Sequence, residues 1–131
     1  MQKISRTGVE QYLRCKRCFV LQYKYSVKPR MLPFTLNIAV DNLCKNEFDH
    51  YRKEKKPHPL FIEHGIDAIP FDHPDMDKWR NYRQGIGYVD EEKGYNFYGA
   101  VDDVWVKPSD ELIIADVKAT AKNIFNWEEK K

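Results

Sequence analysis

Two aspartates and a lysine, Asp102, Asp116 and Lys118, stand at the ends of two apolar runs. They lie in the stretch Asn96–Thr120, NFYGAVDDVWVKPSDELIIADVKAT, where two apolar, β-branched and aromatic runs flank the polar turn Lys107-Pro108-Ser109-Asp110. Such runs favour strands and such a turn favours a hairpin. Side chains alternate along a strand, so Asp116 and Lys118 share a face. A hairpin centred on Ser109 sets Asp102 opposite Asp116, Val104 opposite Ile114 and Val106 opposite Leu112. Carboxylates directly opposite one another have β-carbons roughly 4.5–5.5 Å apart and repel unless positive charge lies between them. A divalent cation and Lys118 are the candidates for that charge. A one-residue slip, or a bulge at Gly99, breaks the alignment.

The chemistry this set suits is phosphodiester hydrolysis. That reaction needs a nucleophilic water, charge stabilisation at phosphorus and help for the leaving oxygen. Hard cations such as Mg²⁺ prefer carboxylate, carbonyl and water oxygens and supply much of this. A lysine two residues beyond the second aspartate can orient the water and stabilise developing negative charge. The same Asp/Lys alternation also describes a half-exposed strand end with no catalytic role. Asp103, on the face opposite Asp102, reads as a structural or solvent-facing residue.

The elements that must hold this hairpin come earlier in the chain. Thr7-Gly8-Val9-Glu10 matches a capping box and predicts a helix from near Gly8, bearing the basic cluster Arg14, Lys16 and Arg17. Pro29 and Pro33 mark a loop. Thr35 to Lys53 reads as the main helix, with Leu36, Ala39, Val40, Leu43, Cys44 and Phe48 at helical spacing. The run Lys53-Glu54-Lys55-Lys56 before Pro57 reads either as phosphate contacts, through Lys53, Lys55 and Lys56, or as a solvated helix end favoured by the macrodipole. Leu60-Phe61-Ile62 predicts a short strand. Pro74 suits the first turn of a helix through about Arg83, capped by Asp72. Ile86 to Val89 predicts a strand, Asp90 to Gly94 a turn, Ala121 to Trp127 the start of a helix, and Glu128 to Lys131 a frayed terminus. Helices followed by a meander of strands imply an α+β layout, with the main helix covering one sheet face.

Length and composition bound the reading. At 131 residues, 42% hydrophobic and 32% charged, the chain suits one soluble globular domain. A net charge of +2 makes any nucleic-acid footprint a local one. Three cysteines, an odd number, with no apolar leader after Met1, point to a reducing cytoplasm. No apolar run approaches the ~20 residues of a membrane span. Cys44 sits on the apolar stripe of the main helix and reads as core. Cys15-Lys16-Arg17-Cys18 reads as helix packing, with zinc shared with a histidine or across a dimer as the other reading. His50, His58, His64 and His73 show no metal-ligand spacing and read as surface or loop, and Trp79, Trp105 and Trp127 as core or interface anchors.

Gly99-Ala100-Val101-Asp102, followed fourteen residues on by Asp116-Val117-Lys118 closing an apolar strand, resembles the PD-(D/E)XK nuclease superfamily. The RecB-like branch, with its CRISPR-associated exonucleases, is the nearest in pattern. The segment Ile4–Tyr23 resembles that branch's N-terminal helix, with Lys16 where a proline is usual. The resemblance implies a restriction-endonuclease-like core, N-terminal helices packed on a small mixed sheet with a central β-hairpin, spanning residues 1–131 as a single domain. It implies a metal-dependent deoxyribonuclease acting on single- or double-stranded DNA, with Mg²⁺ or Mn²⁺ held by Asp102, Asp116 and the backbone carbonyl of Val117. Lys118 would be the catalytic lysine. Asp41, in Leu36-Asn37-Ile38-Ala39-Val40-Asp41, falls at the family's helical acidic position, with Glu47 as the alternative. An iron–sulfur cluster is not expected, because no cysteine follows Cys44 and such a cluster needs four ligands. The family core continues past its D-x-K strand with a helix, a strand and often a Gln-x-x-x-Tyr motif, whereas thirteen residues follow Lys118. The expectation is a core incomplete after residue 120, finished by a homodimer or a partner subunit, or a nuclease-like fold that binds nucleic acid or protein without cutting.

Overall fold

The hairpin around Ser109 pairs as its turn predicts. In a computed structural model that describes residues 1–33 and 35–119, Asp103 pairs with Ala115, Val104 with Ile114, Trp105 with Ile113 and Val106 with Leu112. Asp110 takes a left-handed conformation at φ 65° and returns its N–H to the Lys107 carbonyl at 3.0 Å, which closes the turn. The strands β5 (Asp103–Val106) and β6 (Leu112–Ala115) are joined by β2 (Ile69–Pro70) in a three-stranded antiparallel sheet of order β2-β5-β6.

A second three-stranded sheet stands beside this one in the chain's path. It comprises β1 (Gln2–Ser5), β3 (Ile86–Asp90) and β4 (Tyr95–Gly99) in the order β1-β4-β3, with β1 parallel and β3 antiparallel to β4. The apolar run read as one hairpin arm is therefore two strands in two sheets, interrupted at residues 100–102. The backbone is crowded at this break. Gly85 has φ +59°, and a β-carbon there would stand 2.4 Å from the Gly99 carbonyl oxygen. Beyond it the Val101 N–H turns aside to the Trp79 carbonyl at 3.1 Å. The described residues form a mixed α+β arrangement with two small sheets in place of the expected one, and the hairpin belongs wholly to the β2-β5-β6 sheet.

Helices occupy the positions between. The first, α1 (Arg6–Arg14), starts two residues before the predicted site, because Ser5 and not Thr7 is the cap: the Gly8 N–H donates to Ser5 Oγ at 3.2 Å. Cys15 ends α1 and caps α2 (Lys16–Tyr25). The two helices close tightly, and a β-carbon at Gly8 would lie 2.0 Å from the Tyr23 hydroxyl. The main helix, α3 (Thr35–Glu54), appears as expected and stops where Lys55 turns left-handed at φ 54°. Its burial is narrower than the apolar stripe suggested. Leu36 and Leu43 are exposed, whereas Cys44, Phe48 and Arg52, spaced one turn apart, face the hairpin sheet.

The Leu60-Phe61-Ile62 segment is helical and not a strand. Pro59 stands in the first turn of α4 (Pro59–Glu63), and His58 Nδ1 accepts the Leu60 N–H at 3.1 Å. That turn drives Phe61 into the core, where it is 1% exposed and packs 4.3 Å from the Trp105 ring, with Phe48, Ala68 and Ile113 around it. His58 is buried with them and is no surface residue. The predicted helix from Pro74 is confined to α5 (Met76–Arg80), with Asp75 and not Asp72 at its start. No helix among the described residues is long and apolar enough to cross a membrane. The helix expected over Ala121–Trp127, the frayed end and Trp127 lie outside the described residues.

Candidate metal and phosphate site

The strand register, carried one residue past the paired ends, sets Asp102 across from Asp116. Side-chain contacts agree. Asp102 Oδ2 accepts the Val117 N–H at 2.6 Å. Val117 thus meets Asp102 through its backbone N–H. Lys118 Nζ sits 2.6 Å from Asp116 Oδ2, and both side chains remain more than half exposed.

The two carboxyls titrate apart. Burial pushes the Asp102 carboxyl above the ordinary carboxylate range. The Val117 N–H opposes this, Asp41 and Asp116 add to it, and Lys45 opposes it. Asp116 is held below the ordinary range, first by its hydrogen bond from Lys118, with Asp102 and Arg6 contributing. Adjoining carboxylates that split in this way are a pattern of functional sites as well as of ion-pair networks.

Asp41 reaches the same neighbourhood from α3, since it acts on Asp102 together with Lys45, its own partner at 2.7 Å. Glu47, the alternative helical acid, is turned elsewhere and lies 3.1 Å from His58 Nε2. The structure therefore sets Asp116 beside Lys118 and Asp102 on the Val117 N–H, while Asp41 bears on Asp102 through its charge alone. Lys53, Lys55 and Lys56 are not gathered with them. Twelve residues along α3 separate Asp41 from Lys53, roughly 18 Å of helix, and Lys56 lies 3.2 Å from Glu54.

Carboxylate oxygens such as those of Asp102 and Asp116 are the ligands that a hard cation such as Mg²⁺ or Mn²⁺ prefers. The side chains are held by lysines: Asp41 by Lys45 and Asp116 by Lys118. Among the described residues no three His, Cys, Asp or Glu side chains form a ready-made metal cage.

Three supporting features escaped the sequence reading. Lys45 follows Asp41 by one helical turn, a spacing that could have been read as an ion pair. Arg6 acts on Asp116 from the start of α1. The third is a buried ionic brace beneath the site. Asp103, fully buried, takes the guanidinium of Arg52, which also binds Asp49 and donates Nε–H to the Phe71 carbonyl at 2.7 Å. Arg80 joins from α5, 2.9 Å from Asp49 and 3.0 Å from Asp77. Of the two roles open to Asp103, the structure takes the structural one. Burial raises its carboxyl, and Arg52 leads the groups that oppose the rise.

Cys44 packs against the core, as its place on the stripe implied, and burial pushes its thiol up. Cys15 accepts the Cys18 N–H at 3.2 Å on Sγ, which makes it a helix cap. Comparison with protein-family models, curated proteins and solved structures gives no match.

Proposed function

We propose that this chain is a metal-dependent deoxyribonuclease domain of PD-(D/E)XK type, RecB-like in its motif order. The observation that carries the reading is the register that sets Asp102 across from Asp116, with Lys118 on the same strand end and Asp41 acting on the pair from α3. Asp102, Asp116 and Asp41 would hold Mg²⁺ or Mn²⁺. Such a cation, when bound, polarises a phosphoryl oxygen and lowers the barrier to attack by water. The Val117 N–H fixes the Asp102 carboxylate in place. Lys118 orients the attacking water and stabilises the negative charge that develops at phosphorus. The ionic brace of Asp103, Arg52 and Asp49 ties β5 to α3, so Asp102 and Asp41 keep their relative position.

A cytoplasmic setting fits the odd cysteine count, and a homodimer or partner subunit fits exposed apolar side chains such as Leu36, Leu43 and Ile114. A second reading, a nuclease-like module that binds DNA without cutting, draws on the lysine-held carboxylates of Asp41 and Asp116. Incubation with labelled single- and double-stranded DNA in Mg²⁺ or Mn²⁺, beside an EDTA control and Asp116→Asn, separates the two. Cleavage abolished by EDTA and by Asp116→Asn supports the enzyme. Binding without cleavage supports the second reading and overturns the first.

A further inference from the structure

Two cavities outside the candidate site carry basic side chains, and they differ in charge. One, of about 560 Å³, is lined by Lys45 and Arg80 but also by Asp49 and Asp77, so its cations are matched. The other, of about 780 Å³, lies between α1, α2 and the segment after α2. Arg14 and Lys28 line it, and no carboxylate does so among the described residues. Neither cation forms an ion pair within the described residues, and both side chains are exposed. The remaining polar lining consists of neutral donors, among them Gln11, Gln22 and the Tyr23 hydroxyl. A concave surface with unopposed positive charge and neutral amide donors suits a phosphodiester backbone with its sugars.

The position of this cavity ties it to the chemistry. Ser5 and Tyr98, which line it, are register partners in the β1–β4 pair. Tyr98 precedes Asp102 by four residues, a reach of at most ~14 Å, and a strand rising about 3.4 Å per nucleotide covers that in roughly four nucleotides. Arg6, between the lining residues Ser5 and Thr7, is near enough to act on Asp116.

Resting on the nuclease reading, we infer that the cavity between α1 and α2 seats a single strand of nucleic acid, with Arg14 and Lys28 on its phosphates, and leads it to Asp102 and Asp116. Its walls come from α1, α2, the segment after α2 and the β1–β4 pair, and this confinement suits a single strand and not a duplex.

The test is fluorescence anisotropy with a labelled twelve-nucleotide oligodeoxythymidylate in EDTA, where binding is read apart from cutting. Arg14→Glu with Lys28→Glu weakens binding about tenfold or more and lowers the slope of log K against log salt by about 1.4, the share of two phosphate contacts on a single strand. Arg14→Gln with Lys28→Gln gives a smaller loss in the same direction. The inference is overturned if the double reversal binds within twofold of the parent, or if the parent shows no binding. It is overturned equally if the loss follows Lys53→Glu and Lys55→Glu instead, or if a duplex binds as tightly with the same dependence on Arg14 and Lys28. Binding lost through Arg14 and Lys28 without any metal-dependent cutting would overturn the nuclease reading and leave this one standing.

Discussion

Replacing Arg52 by methionine removes a side chain that links α3, β5 and the segment after β2. Arg52 is 6% exposed and holds the fully buried Asp103, Asp49 and the Phe71 carbonyl. Methionine keeps the apolar stem and abolishes every polar contact. Asp103 is then a buried carboxylate without its main partner, a change that costs about 3–5 kcal/mol when one half of a buried pair is lost. Arg80 still acts on Asp103, which favours the lower end. A loss of that size lowers the melting temperature of a domain this long by roughly 10–20 °C. Asp103→Asn removes the charge while keeping the shape, so Arg52→Met with Asp103→Asn is more stable than the sum of the single effects predicts, by at least about 1 kcal/mol. Urea denaturation of the four proteins measures this coupling. A cost below about 1 kcal/mol for Arg52→Met, or additive single effects, would refute the claim that the brace is a buried, mutually dependent ion pair.

Three further outcomes are expected. Asp102→Asn raises the melting temperature at pH 7 in EDTA, because burial and two neighbouring carboxyls disfavour the Asp102 charge. Its folded pKa is raised, so the parent is penalised above that pKa and relieved as pH falls through it; the gap between the two proteins therefore narrows toward pH 4 in thermal melts. Alkylation at pH 8, followed by peptide mass spectrometry, modifies Cys15 before Cys44, since the Cys18 contact lowers the first thiol and burial raises the second. Gly8→Ala destabilises the protein despite alanine's better helix propensity, because the new methyl meets the Tyr23 hydroxyl at 2.0 Å; overpacking of this kind costs about 1–3 kcal/mol, and the drop in urea midpoint reads it directly.

The parts of this fold that were legible in the sequence are local ones. The Pro108-Ser109 turn and the alternating apolar runs set the register from Asp103 to Ala115, which continued by one residue puts Asp102 across from Asp116. The α3 stripe was legible in extent but not in burial, because which turns meet a sheet depends on how long that sheet is. Parallel pairing of β1 with β4 joins residues more than ninety positions apart, and Gln2-Lys3-Ile4-Ser5 carries no strand pattern of its own. At Leu60-Phe61-Ile62 an apolar triplet fits either a strand or a helix; Pro59 at the first helical position was the signal that decides it. Alternation placed Asp103 away from Asp102, but its burial comes from Arg52, 51 residues earlier, and no spacing rule foresees such a pair.

In the proposed nuclease, Lys118 acts in the chemistry while the three aspartates hold the cation. Cleavage of a 5′-labelled DNA strand at saturating Mn²⁺ by the parent and by Lys118→Ala, with Mn²⁺ affinity measured alongside by electron paramagnetic resonance, tests it most directly. The expected result is a rate at least ~100-fold lower in Lys118→Ala, with Mn²⁺ affinity kept or increased because Asp116 loses its internal partner. Cleavage undiminished in Lys118→Ala, or no cleavage by the parent protein, would contradict it.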